Sequence, residues 1–163
     1  MSGGYSRQFG AVTADIGLLG YIFPEGGSLH IGPLDYFEIY GSLAKAYGPV
    51  TAKFGLNYAP PQENIRNGSL KPPVRDNFYV YANLSGHVPA TPLNLSFTLG
   101  REAGAFAYVD KGSKVDWNLA LSVVFHGITG SVAYIGNTAP AYISSTGKNL
   151  TNHTALVSIV KYF

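Results

Sequence analysis

The sequence predicts an all-β fold, an antiparallel up-and-down transmembrane β-barrel made of a single domain over residues 1–163. Three observations predict it. Apolar and polar residues alternate in segments of about ten residues, the connections between these segments alternate in length, and the chain ends in an amphipathic strand whose last residue is Phe163.

The alternation is clearest in residues 50–58, where Val50, Phe54 and Tyr58 share one side and Lys53 and Asn57 share the other. Apolar residues at i, i+2 and i+4, with many Val, Tyr, Phe and Thr, favour strands over helices. About eight strands are predicted, and they are Ala11–Phe23, Asp35–Ala46, Pro49–Tyr58, Asn77–Ser85, Pro92–Gly100, Val115–Phe125, Ile128–Gly136 and His153–Phe163.

The connections are alternately long and short. Residues 24–34, 60–76, 101–113 and 137–152 are long, whereas residues 47–48, 86–91 and 126–127 are short. In an up-and-down barrel, successive connections lie at opposite rims, and outer-membrane barrels combine short turns at one rim with longer loops at the other. Eight strands would also place both chain termini at the rim of the short turns.

The polar sides of the predicted strands are poor in the Lys and Glu that solvate an ordinary protein surface. They are rich in Thr, Ser, Asn, Tyr and Gly, which indicates a hydrogen-bonded lumen, while aromatic residues near the strand ends resemble two interfacial girdles. The candidate lumen-lining residues are Asp15, Glu38, Tyr40, Lys53, Tyr79, Tyr81, Asn83, Asp116 and Asn118. Lys53 and Glu38 are expected to form a pair on neighbouring strands.

The composition excludes several classes of function. No apolar run is long enough for a transmembrane helix, and there is no Cys for a disulfide, a thiolate metal site or a nucleophile. The net charge of +2 is not clustered, so no nucleic-acid partner is expected. The four histidines lie in or beside connections at both rims, and no nucleophile motif stands out, so no metal, no cofactor and no enzymatic activity are predicted.

The last strand has Val157, Ile159 and Phe163 on one side. This resembles the C-terminal insertion signal of bacterial outer-membrane proteins, although Lys161 stands where an apolar residue is usual. The resemblance implies that the outer-membrane insertion machinery is a partner of this strand.

Four stretches together resemble the Gcw_chp family of uncharacterised proteobacterial predicted outer-membrane proteins. They are DIGLLGYIFPE from residue 15, DYFEIYGSLAKAYGPVTAKFGLNYAP from residue 35, NFYVYANLSGHVP from residue 77 and VDWNLALSVVFHGITGSVAYIGNT from residue 115. The resemblance implies a longer chain, with a signal peptide and additional strands before the region seen here. Residues 1–17 contain no secretory signal, so the expectation is a signal removed or a chain truncated at its N-terminus, with a parent barrel of about twelve strands.

These observations favour a barrel in the bacterial outer membrane, with the lipid bilayer as its partner and porin-like passage of small polar solutes as its role. Two alternatives stay open. A soluble lipocalin-like barrel would reverse the two faces and hold an apolar ligand inside, and a structural membrane barrel would have a plugged lumen, since eight strands leave an interior that side chains can fill. The solute and the oligomeric state are not indicated.

Overall fold

The computed structural model describes residues 1–23, 35–62, 75–107, 112–139 and 153–161, which form one antiparallel sheet of nine strands. Each strand pairs with its neighbours in the chain, so the predicted all-β, up-and-down architecture is confirmed. The strands are β1 (Ser2–Phe9), β2 (Val12–Tyr21), β3 (Tyr36–Tyr47), β4 (Val50–Ala59), β5 (Asn77–His87), β6 (Leu93–Gly104), β7 (Ser113–Phe125), β8 (Ile128–Asn137) and β9 (Thr154–Lys161). A short 3₁₀ turn, Ala105–Ala107, follows β6. No helix in this part of the chain is long and apolar enough to cross a membrane.

The predicted number of eight strands was wrong, because residues 2–9 also form a strand. One side of β1 consists of Ser and Gly, followed by Gln8. These side chains are small or absent, so the polar–apolar contrast with Tyr5 and Phe9 on the other side is weak. With nine strands, Met1 lies at the rim of the long connections and β9 ends at the rim of the short turns, which we call the short-turn rim. The expectation that both termini share one rim was therefore also wrong.

The alternation of connection lengths extends to all eight connections, because the added hairpin turn at residues 10–11 is short. In the β7–β8 turn, φ is 48° at His126 and 75° at Gly127. Positive φ at both central residues is the signature of a type I′ turn, whose twist matches that of the flanking strands. The tight turn predicted at these two residues is present.

The strands are staggered in a regular way. Phe9, beside the first short turn, is level with Val12 and Lys45, whereas the next short turn begins two residues further along β3, at Tyr47. The same two-residue step separates Leu95 from Leu93 and Val123 from Phe125 at the following turns. A stagger of one residue per strand corresponds to a strand tilt of roughly 35°, given a rise of about 3.3 Å per residue and a strand spacing of about 4.8 Å. Closed barrels have strand tilts in this range.

The sheet curls towards one side. The Tyr36 and Phe106 rings lie with centroids 5.2 Å apart although they belong to β3 and to the turn after β6. In a flat sheet three strand spacings, about 14 Å, would separate them. Tyr36 and Phe106 pack against the buried residues Ala59 and Ala105, which form a small apolar cluster at the rim of the long connections.

The sheet is not closed. Among the described residues β1 pairs only with β2 and β9 only with β8, and nearly all residues of these two strands are exposed. Each strand runs opposite to its neighbours, so β1 and β9, separated by an even number of steps, run in the same direction.

Candidate functional site

The nine polar residues predicted to line a lumen all lie on one face of the sheet, here called the concave face. Directly opposed residues of antiparallel strands share a face, and the strand register links eight of the nine in three rows. The first row contains Asp15, Ser42, Gly55, Tyr81, Gly100, Asp116 and Asn137. The second contains Tyr40, Asn57, Tyr79, Glu102 and Lys114, and the third contains Lys53, Asn83, Thr98 and Asn118. Glu38, the ninth, lies two residues before Tyr40 on the same face.

Tyr79 crosses a whole strand to reach Asp116. Its hydroxyl on β5 donates a hydrogen bond to Asp116 Oδ1 on β7 at 3.0 Å, and the ring lies over Gly100 of the intervening β6. A side chain at position 100 would collide with the phenol, so this bond depends on glycine there. A ring that covers a strand glycine also shields its backbone from water.

Two further tyrosines lie against glycines in the same manner. The Tyr40 ring covers Gly17 and its hydroxyl is 3.4 Å from Asp15 Oδ1, while the Tyr81 ring covers Gly55. Tyr81 also stacks on Tyr79, with a centroid separation of 5.8 Å. These rings lie along the wall of the concavity, and their placement leaves space in its middle.

That space includes a polar cavity of about 400 Å³ near the rim of the long connections. Its lining comes from seven strands, β2 to β8, and consists of Tyr21, Glu38, Asn57, Asn77, Tyr79, Glu102, Lys114, Asp116 and Asn137. The described lining residues include three carboxylates and one ammonium group, so their formal charge is negative.

Lys114 is held in place by contacts with Glu102 and Phe106 in this cavity. Its Nζ lies 2.7 Å from Glu102 Oε2 and donates to the Phe106 carbonyl at 3.0 Å. Asn77 is 3% exposed, donates to Glu102 Oε1 at 3.0 Å and accepts a hydrogen bond from the Phe106 backbone N–H at 2.9 Å. The turn after β6 is thereby fastened to the end of the concave face.

The expected pairing of Lys53 with Glu38 was wrong. Lys53 lies opposite Ala44, six residues along β3 from Glu38, which corresponds to about 20 Å. Glu38, 8% exposed, instead accepts a hydrogen bond from Asn57 Nδ2 at 3.1 Å. The stagger of the strands therefore places the two charges far apart, although the sequence indicated that they were neighbours.

Asn83 belongs to a second polar group, nearer the short-turn rim. Its Nδ2 donates to Ser96 Oγ at 3.0 Å and to Thr98 Oγ1 at 2.8 Å. Lys53 and Asn118 flank this group in the same row. The nine predicted residues are therefore distributed along the concave face, and only Glu38, Tyr79 and Asp116 of them meet at the cavity.

The sequence-based list missed several cavity residues, of which Glu102 and Lys114 are the most consequential. Both were assigned to the connection 101–113 or its border, whereas β6 extends to Gly104 and β7 begins at Ser113. The signal was present, since Glu102 and Lys114 continue the period-two pattern of the polar residues in each strand.

The histidines do not come together. His87 ends β5, His126 lies in the β7–β8 turn and His153 lies beside Trp117 with ring centroids 5.2 Å apart, whereas His30 lies outside the described residues. Within the ranges that the structure describes, no group of His, Cys, Asp or Glu side chains has the geometry of a metal site.

The opposite face of the sheet, here called the convex face, exposes large apolar side chains. Phe54 is 56% exposed and Leu119 is 45% exposed. Others of this kind are Ile16, Leu18, Leu43, Leu84, Leu99, Leu121 and Val132. Tyr21, Val124, Leu156 and Val160 are exceptions, since they are exposed on the concave side, near the ends of β2 and β7 and in the edge strand β9.

Val157 and Ile159 of the predicted insertion signal lie on the convex face of β9, where they are strongly exposed. Phe163, the terminal residue of that signal, lies outside the described residues. Val157 and Ile159 therefore share one face, as predicted, but Leu156 and Val160 make the opposite face of β9 partly apolar as well.

A family model described as a bacterial protein of unknown function (Gcw_chp) matches residues 1–163. The match covers the whole chain, so the chain belongs to this family, as its sequence resemblance indicated. Comparisons with curated proteins and with solved structures gave no significant match.

Proposed function

We propose that this member of the Gcw_chp family is a transmembrane β-barrel protein of the bacterial outer membrane, whose concave face lines a path for small polar solutes. One observation carries the proposal: the buried charged and amide side chains are on the concave face, and most of the exposed large apolar ones are on the convex face. This is the sidedness of a barrel whose outside contacts lipid and whose inside contacts water.

The convex face is a poor surface for a protein in water. A soluble monomer seldom exposes a contiguous apolar patch larger than a few hundred Å². Here Phe54, Leu43 and Leu99, together with their neighbours, cover the outward side of successive strands, and only small residues such as Ala59 and Ala133 are buried among the apolar ones described. Hydrocarbon lipid tails would cover this face without cost.

The lipocalin-like alternative requires the reverse arrangement, with apolar residues on the concave face around an apolar ligand. The concave face instead carries Glu38, Asn77 and Glu102 beside the cavity, and burying their polar groups against an apolar ligand would be unfavourable. The distribution of side chains therefore favours the membrane barrel.

The placement of three tyrosines favours an open lumen over a plugged one. Tyr40, Tyr79 and Tyr81 lie flat over glycines of adjacent strands, so their large rings occupy little of the interior. The concave strand residues include the acids Asp15, Glu38, Glu102 and Asp116 and the lysines Lys53 and Lys114. Their excess of negative charge favours cations, as rings of Asp and Glu do in cation channels.

The proposal requires partners for the edges of β1 and β9, because unpaired backbone groups cost several kcal/mol each in hydrocarbon. Since β1 and β9 run in the same direction, pairing them with each other would make a parallel contact in a nine-stranded barrel. An even-numbered barrel with antiparallel pairing throughout requires an odd number of further strands.

Refolding tests the membrane assignment. The purified chain is diluted from urea into buffer with and without detergent micelles, and unheated and boiled samples are compared by gel electrophoresis. We expect a folded band that forms only with detergent and shifts on boiling. Stable monomeric folding in plain buffer would contradict the proposal and favour the soluble carrier.

Conductance tests the path. Folded protein is inserted into planar bilayers of zwitterionic lipid, and single-channel currents are recorded in KCl. Discrete, cation-selective steps are expected. A detergent-folded chain that gives no conductance would overturn the solute path and favour a structural barrel with a plugged lumen.

A further inference from the structure

The charges on the convex face are all of one sign. The charged strand residues on this face are Arg7, Lys45, Arg101 and Lys161, and no Asp or Glu of the described strands joins them. Arg101 lies far along β6 from the short turns, whereas the other three lie within two residues of a strand end at the short-turn rim. One end of an otherwise apolar surface is thus positively charged.

Arg7 and Lys45 occupy equivalent positions in a repeated sequence pattern. The segments Arg7-Gln8-Phe9-Gly10 and Lys45-Ala46-Tyr47-Gly48 each have a cation two residues before an aromatic residue and three residues before the turn glycine. Arg7 lies over the Phe9 ring at 5.2 Å, and Lys45 Nζ lies over the Tyr47 ring at 4.7 Å. Aromatic and basic residues at one level of a barrel mark the height of lipid headgroups.

Arg7 and Lys45 also border apolar grooves. A groove of about 480 Å³ has Tyr5 and Phe9 on one side and Leu43 and Phe54 on the other, with Ala14 and Gly41 among its lining and Arg7 at its edge. A neighbouring groove of about 390 Å³ contains Ala52 and Ala82, and Lys45 and Tyr47 line it too. Small residues between large ones make these depressions in the convex face.

We propose that this end of the convex face binds an anionic phospholipid, with its phosphate between Arg7 and Lys45 and one acyl chain in the groove between Phe9 and Phe54. Arg7 on β1 and Lys45 on β3 are separated by β2, about 10 Å across, and the residues between them, Val12 and Ala14, are small. Two long cationic side chains can converge on one phosphate over that gap. Neither has a carboxylate within salt-bridge distance among the described residues, so their charge is available to an anion.

The inference deepens the proposed function, since it names the lipid that the convex face selects, and it rests on the membrane assignment. The two cations recognise the anionic headgroup, and the groove recognises an acyl chain. Free phosphate has no acyl chain, so it is not an equivalent ligand. The attraction of one Lys or Arg to anionic lipid corresponds to about a fivefold change in affinity.

Native mass spectrometry of the protein folded in zwitterionic detergent tests the inference, with phosphatidylglycerol and phosphatidylcholine supplied in equal amounts. We expect bound phosphatidylglycerol to predominate, and we expect the Arg7→Gln, Lys45→Gln double variant to lose that preference, by roughly fivefold for each cation. Arg101→Gln removes a convex-face cation distant from the site and is expected to retain the preference. The heat-dependent gel shift, run on the same samples, reports whether each variant is folded.

The outcomes separate the two proposals. A wild-type protein that is folded but binds both lipids equally overturns the lipid site and leaves the barrel intact, as does a double variant with an unchanged preference or an equal loss in Arg101→Gln. If the double variant fails to fold, a salt titration of the wild type decides, because binding to two cations must weaken steeply with salt. A chain with no detergent-dependent folded form overturns both proposals.

Discussion

The Tyr79 hydroxyl donates a hydrogen bond to Asp116 Oδ1 at 3.0 Å across an intervening strand. The register places Gly100 directly opposite Asp116, so the phenol of Tyr79 reaches the carboxylate over a position that has no side chain. Three strands are thereby connected by one side chain. This hydrogen bond also limits the distance between β5 and β7 at Gly100, because the Tyr79 ring lies along the concave face.

Gly100→Ala is expected to destabilise the folded protein, because the new methyl group would collide with the Tyr79 ring. Overpacking of this kind costs about 1–3 kcal/mol. Urea unfolding in lipid vesicles, followed by the fluorescence of Trp117, the single Trp of the chain, measures the change. Gly130→Ala is the matched control, because its methyl group would approach only Val123 Cγ1, at 3.9 Å. Equal effects of the two substitutions would contradict the close approach at Gly100.

Tyr79→Phe keeps the ring over Gly100 and removes the hydrogen bond to Asp116. We expect a loss of about 1–3 kcal/mol in the free energy of unfolding, since a carboxylate acceptor loses the hydrogen bond from Tyr79. In a double-mutant cycle with Asp116→Asn, the two losses should be less than additive if the groups interact. Full additivity in the same urea titration would argue against the bond.

Leu119 and Asn118 are adjacent in β7 and lie on opposite faces of the sheet. If the convex face contacts lipid, Leu119→Arg is expected to cost about 2–4 kcal/mol near the middle of the bilayer. Asn118→Arg, on the concave face, should be tolerated. An exposed position in water would give a change within about 0.5 kcal/mol for Leu119→Arg, so a small effect in vesicle unfolding would oppose the membrane assignment.

Among the residues that the structure describes, Lys114 supplies the only ammonium group in the polar cavity, beside Glu38, Glu102 and Asp116. If the concave face lines an ion path, Lys114→Met should increase its preference for K⁺ over Cl⁻, because the substitution removes a positive charge from beside three carboxylates. The reversal potential across a KCl gradient, in zwitterionic bilayers, measures this preference. Lys45→Met makes the same charge change on the convex face and should leave the reversal potential unchanged. An equal shift in both variants would show that the cavity is not on the ion path.

Hydrogen exchange of the backbone amides in β1 and β9 tests whether further strands pair with these two edges of the sheet. In an edge strand paired on one side, about half of the amide hydrogens lack a partner and exchange quickly, whereas pairing on both sides protects nearly all of them. We expect full protection of both strands in the folded, detergent-bound protein by hydrogen exchange, with the central strand β4 as the internal standard. Rapid exchange of half of the amides would mean that the edges stay open, which a membrane-spanning sheet does not permit.

The sequence by itself determined the class of fold and the sidedness of each strand. In β4, β5 and β7 the alternation of Phe54, Leu84 or Trp117 with small or polar neighbours indicates which residues share a face, because side chains point to opposite sides with a period of two. The alternating connection lengths indicated the order of the strands, and the tight turn at His126 and Gly127 was readable from two residues. Strand β1 was missed because its Ser and Gly residues hide the same alternation.

Only the tertiary structure decided which polar residues meet. Glu38 and Lys53 looked like partners on neighbouring strands, but register and stagger, which depend on all the hairpins together, place them far apart. The reach of Tyr79 over Gly100 to Asp116 likewise joins residues from three strands. Period-two patterns give the face of a residue and say nothing about which residues of neighbouring strands lie beside it, so the composition of the cavity follows from the pairing of strands.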